Sequence, residues 1–164
     1  MNAFTKGLIL GAVQLLLIAG VGAKFLIDRA NYPRVWVLTA PFDPDLPIRG
    51  RYVRLAAVLE HEAAGREDPV DMLRVRLAVQ DGRLSAIADE NGRHWLNERT
   101  CNGQRCWVLL QPLAYFIPEH LADPSQRQPG EQLWVEVTLP PQGPPRPIRL
   151  GVKVGGRIEP LLLR

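Results

Sequence analysis

Residues 72–88 read MLRVRLAVQDGRLSAIA, and their alternation decides the fold. Leu73, Val75, Leu77 and Val79 fall on one side of an extended chain; Arg74, Arg76 and Gln80 fall on the other. Successive side chains of a strand point to opposite faces. A period of two with one apolar side therefore predicts a half-buried antiparallel strand. Asp81-Gly82 is a hairpin turn that leads into a second strand over Leu84 to Ala88.

The same grammar recurs on both sides of this hairpin. Val35 to Thr39 (VWVLT) is β-branched and aromatic, and reads as a first strand. Pro41, Pro44 and Pro47 then interrupt regular structure. Arg51 to Glu60 resumes as a strand, with Tyr52, Arg54 and Ala56 on one face and Val53, Leu55 and Ala57 on the other. His61 to Asp71 reads as a loop. Asn91-Gly92 turns the chain into His94 to Leu96, and Cys106 to Leu110 is a further strand. Leu133, Val135, Val137 and Leu139 alternate with Trp134, Glu136 and Thr138. The connector PPQGPPRP over 140–147 precedes Ile148, Leu150, Val152 and Val154, and Gly155-Gly156 turns that strand into Arg157 to Leu163. No amphipathic helix follows Ile27. The fold expected is mostly β: a single antiparallel β-sandwich or partly open barrel after one N-terminal transmembrane helix.

The N-terminal segment has a different character. Gly7 to Ala23, GLILGAVQLLLIAGVGA, carries no charge, and Phe25 to Ile27 prolong it past Lys24. A bilayer core about 30 Å thick needs about 20 apolar residues at about 1.5 Å each. The expected organisation is a short tail over 1–6, a transmembrane anchor or uncleaved signal over 7–27 in contact with membrane lipid, a linker over 28–33, and an exported all-β domain over 34–164. A cleaved signal peptide is the alternative, since Lys6 supplies a basic start and Val21-Gly22-Ala23 a small-residue cleavage site. Counting lysine and arginine alone places the C-terminal side inside. The short N-terminal tail and the cysteines point the other way, to an inner-membrane protein with its C-terminal domain in the periplasm.

The net charge of +3 does not imply a nucleic-acid partner. Lys6, Lys24 and Arg29 flank the apolar segment; from Ala30 onward 17 basic residues face 16 acidic ones. Cys101 and Cys106 bracket Asn102-Gly103-Gln104-Arg105, a loop short enough for a disulfide between paired strands. A zinc site would need about four ligands, and only His94 is near in sequence. A redox pair ordinarily has two residues between its cysteines. That leaves a structural disulfide, which agrees with an oxidising compartment, or two free thiols.

Other constellations carry less chemistry. Asp43 and Asp45 sit beside prolines, where aspartate also simply caps a turn. His61, His94 and His120 match no metal-ligand spacing with Glu60, Glu62 or Glu119, so no metal is expected. Ser85 and Ser125 are the only serines, and neither stands in a nucleophile elbow. No glycine-rich phosphate loop is present in the sequence. Trp36, Trp95, Trp107 and Trp134 fall on strands and are expected in core or interface.

Gly50-Arg51-Tyr52-Val53-Arg54-Leu55-Ala56-Ala57 resembles the motif of the GDYXXLXY family, small bacterial membrane-anchored proteins. Leu38 to Pro44 is similar to that family's Pro-x-Asp-Pro lead-in, and Tyr115-Phe116-Ile117-Pro118-Glu119 to its second block. Gly50, Tyr52 and Leu55 match the motif. Arg51 replaces its aspartate and Ala57 its final tyrosine, so no role carries over through those two positions. The resemblance implies an integral membrane protein as partner and no cofactor. Tyr52 and Arg54 would share one face as a stacked pair. The binding residues expected are Asp43, Arg49, Gly50, Tyr52, Arg54, Tyr115, Phe116 and Glu119, with no catalytic residue. The function expected is that of a non-enzymatic accessory or interaction domain. The alternatives are a hydrolase of an envelope substrate using Asp43, Asp45 or Glu119, and an envelope protein that self-associates through strand edges.

Overall fold

A computed structural model describes residues 2–42, 52–61 (the backbone alone at 60 and 61), 72–101, 103–118, 120–125, 127 and 130–163. The chain divides into two compact units, residues 1–32 and 33–164.

The first unit is one helix, α1 (Ala3–Asn31), longer at both ends than the apolar run. Asn2 caps it, its side chain accepting from the Thr5 N–H at 3.1 Å. At the other end nothing breaks the helix until Pro33, which forces the preceding residue out of helical geometry. Tyr32 is accordingly extended, at φ −92° and ψ 151°, and its N–H donates to the Asp28 carbonyl. Residues 28–31, expected in a linker, are therefore helical. The helix has a window of mean hydropathy 2.0 and is long enough to cross a bilayer.

The second unit is ten strands in one curled sheet: β1 (Arg34–Pro41), β2 (Tyr52–His61), β3 (Met72–Gln80), β4 (Arg83–Ala88), β5 (His94–Cys101), β6 (Gln104–Leu109), β7 (Leu113–Phe116), β8 (Gln132–Thr138), β9 (Arg146–Val154) and β10 (Arg157–Pro160). The order is β10-β9-β8-β1-β2-β4-β3-β5-β6. Strand β6 returns to pair with β2, and β7 pairs with β2 off the main path. So β2, β4, β3, β5 and β6 close a circuit, while β1, β8, β9 and β10 continue from β2 as an open wing. Of the two forms expected, this is the partly open barrel. Among the described residues every pairing is antiparallel except β2 with β4, which is parallel over two residue pairs.

Local chemistry explains the turns. Asp81 and Gly82 take φ of 50° and 73°, the left-handed values a two-residue hairpin demands. Pro147 lacks an N–H, and it sits where β9 pairs with β8 but not with β10. Residues 146 and 147 thus belong to a strand and not to the proline-rich connector.

The alternating positions form the core. Leu55, Val75, Leu96, Leu109, Val135 and Leu150 are fully buried. Thr39 is buried among them, and its hydroxyl donates to the Leu133 carbonyl at 2.9 Å, tying β1 to β8. Burying such aliphatic side chains contributes about 1.5–3 kcal/mol each.

Candidate functional site

Strand β2 faces two environments. Val53, Leu55, Ala57 and Leu59 enter the core. Tyr52, Arg54, Ala56 and Val58 face the other way, and the pairing extends this face across the sheet. Leu38 stands opposite Val58 and Ala40 opposite Ala56. The Phe42 N–H donates to the Arg54 carbonyl at 3.2 Å, so the register runs one residue beyond β1. On the opposite edge of β2, Tyr52 pairs with Phe116 and Val53 with Tyr115.

The outcome for the sequence-derived site is mixed. Tyr52 and Phe116 meet edge to face, ring centroids 5.4 Å apart and planes at 71°. They stay 58% and 61% exposed. Arg54 shares their face, but its guanidinium lies 5.4 Å over the ring of Phe42. The expected Tyr52–Arg54 stack is thus replaced by Tyr52–Phe116 and Arg54–Phe42, because cross-strand neighbours are nearer than residues two apart along a strand. Tyr115 lies on the opposite face and packs against the core, as its pairing with Val53 requires. Asp43, Arg49, Gly50 and Glu119 lie outside the described residues, as does Asp45.

Arg99 and Phe42 were not anticipated. Arg99 comes from β5 and places its guanidinium 5.3 Å from the Phe42 ring centroid, a second cation on that ring. Phe42 was legible, since Trp36, Leu38, Ala40 and Phe42 continue one parity. Arg99 was not, because its approach depends on the curl that brings β5 and β6 around to β2.

Beside this cluster is a groove of about 750 Å³. The small side chains of Ala40 and Ala56 leave room along its base. Arg99, Thr100 and Cys101 line it from the β5–β6 hairpin, and Ser125, Arg127 and Gln132 from the segment leading into β8. Arg127 is held in place by the Pro124 carbonyl at 2.8 Å and by Glu131 at 3.7 Å. Cys101 and Cys106 are bridged, with Cα atoms 5.7 Å apart, and this fixes the tip of the hairpin. The arrangement offers exposed aromatic rings, guanidinium groups and an apolar floor. Tyr and Arg are among the residue types that dominate binding hot spots.

A second concavity, of about 460 Å³, contains His94 with Arg76, Asp89, Arg93 and Pro140. Burial, and then the nearby Arg93, hold the imidazole below its ordinary pKa. Among the described residues, its buried Nδ1 has no hydrogen-bond partner. Among the described residues, no three His, Cys, Asp or Glu side chains stand close enough to hold a metal.

Comparison with protein-family models, with curated proteins and with solved structures finds no match for this chain.

Proposed function

We propose that this is a single-pass inner-membrane protein whose sheet domain lies in the periplasm and serves as an interaction module for an integral membrane protein. The observation that carries this reading is the exposed Tyr52–Phe116 pair, continued by Arg54, Phe42 and Arg99. Two large rings left more than half exposed side by side add little to folding, and aromatic groups on a polar-rimmed surface are what protein partners bury. The bridged cysteines favour the oxidising side of the membrane. The resemblance of residues 50–57 to the GDYXXLXY motif favours a membrane-embedded partner and membership of that family.

A photo-crosslinking residue at position 116, in the full chain in its native membrane, tests this. The expected product is a specific adduct with a membrane-spanning protein, lost on Tyr52→Ala. An adduct only with a second copy of the chain would favour self-association instead. No adduct at 116, with efficient crosslinking at a control site on β10, would overturn the reading. A phosphatase reporter fused after residue 164 should be active outside the cytoplasm; activity only inside would refute the location.

A further inference from the structure

We infer that the outward face of β1, β8 and β9 holds a binding pocket for a small organic carboxylate with a flat apolar body. This pocket is a different place from the Tyr52–Phe116 pair, and it stands whether or not that pair binds a protein.

Strand parity builds it. Trp36 faces outward opposite Glu136, and Trp134 faces outward between Leu38 on one side and Gly151 on the other. A Cβ at Gly151 would come within 2.8 Å of Cζ3 of Trp36 and 3.0 Å of the Glu159 carbonyl oxygen. Glycine is thus the residue that lets the Trp36 indole lie down against the sheet. Both indoles then line one concavity of about 340 Å³, together with Leu38, Val58, Leu84 and Lys153. That volume is at the small end of ligand sites, about 300–1,000 Å³, and suits a single-ring compound better than a protein segment.

The polar groups of this pocket select charge. Lys153 contributes a cation, and among the described lining residues none is a carboxylate. The buried carboxylate of Glu136 is already occupied. It accepts from Arg149 Nε at 2.7 Å and from Nη2 at 3.4 Å. That pairing also holds the Arg149 guanidinium 5.4 Å over Trp36. Lys153 is the sole lysine after residue 24 and places Nζ 5.4 Å from the Trp134 ring. A lysine ammonium is a compact point charge with free rotation, able to leave a ring face for an incoming carboxylate. Aromatic walls for the ring and the Lys153 ammonium for the head group make up the specificity.

The test is a tryptophan-fluorescence titration of the full chain in lipid nanodiscs, with empty nanodiscs as blank. The probes are phenylacetate, phenethyl alcohol and phenethylamine, which share a ring and differ in charge. Phenylacetate should give a saturable change, with the alcohol at least about tenfold weaker and the amine weaker still. Lys153→Gln, at an exposed position, should leave the thermal midpoint unchanged and erase the preference for acid over alcohol. Absence of any saturable response to phenylacetate would overturn the inference. So would equal binding of acid and alcohol, or a preference that survives Lys153→Gln.

Discussion

Two outward surfaces of this sheet use the same kinds of residue and treat them differently. On the wing of β1, β8 and β9, Trp36 and Trp134 are partly covered, with Arg149 and Lys153 over their rings and Glu136 anchoring Arg149. At the end of β2 and β7, Tyr52 and Phe116 touch each other and are each more than half exposed. The first arrangement integrates its rings into the fold, down to a glycine that makes space for one of them. The second contributes, among the described residues, one edge-to-face contact and leaves more than half of each residue exposed. An aromatic residue on a strand is therefore not one signal but two, and what lies opposite it across the sheet separates them.

The largest expected effect breaks or upholds that distinction directly. Gly151→Ala forces a methyl group into the Trp36 ring and the Glu159 carbonyl, and the carbonyl is backbone that cannot step aside. Overpacking of this kind costs about 1–3 kcal/mol. Tyr52→Ala or Phe116→Ala removes one cross-strand pair and should cost no more than about 1 kcal/mol. Denaturant unfolding of the three variants measures both. If truncating the exposed pair proves as damaging as Gly151→Ala, the two surfaces do the same structural work, and the case for an interaction face at Tyr52 fails.

Next in size is the disulfide, which belongs to the exposed surface alone. Cys101 and Cys106 close a very short loop, worth about 2 kcal/mol in the chain-entropy account. Reduction should lower stability by about that amount. It should also free the β5–β6 hairpin that presents Arg99 to Phe42, so crosslinking from position 116 should fall while the phenylacetate response of the wing persists. Equal loss of both would show that the two surfaces are not independent.

The sequence made most of the sheet legible because its signals are local. The parity of Leu73 to Val79, of Leu133 to Val137 and of Tyr52 to Ala57 correctly divides inward from outward positions, and Val75, Leu77, Val135 and Val137 are in the core. Asp81-Gly82 and the cysteine hairpin likewise need only a few residues to specify them. What sequence pattern could not supply is the meeting of distant strands. The circuit closed by β2 with β6 and the short parallel pairing of β2 with β4 depend on the curl of the whole sheet. Arg99 reaches Phe42 only through that curl. Tyr115 was grouped with Phe116 because the two are adjacent in sequence, whereas strand parity sends them to opposite faces.

The smallest effect concerns His94, which lies in neither surface and sets their common baseline. Its imidazole is held below the ordinary 6.5 by burial, and then by Arg93, while Arg76 and Asp89 pair with each other beside it at 3.6 Å. A folded state that binds this proton less readily than the unfolded chain is favoured at full strength above pH 6.5 and progressively less as pH falls through the depressed value. Wild-type stability should therefore decline on acidification below pH 6.5, and the His94→Gln variant should decline less. The half-exposed position keeps the difference small. Because His94 lies in neither surface, ligand binding on the wing and crosslinking at position 116 should both be indifferent to His94→Gln at neutral pH. A change in one of them alone would tie that surface to the hairpin that His94 begins.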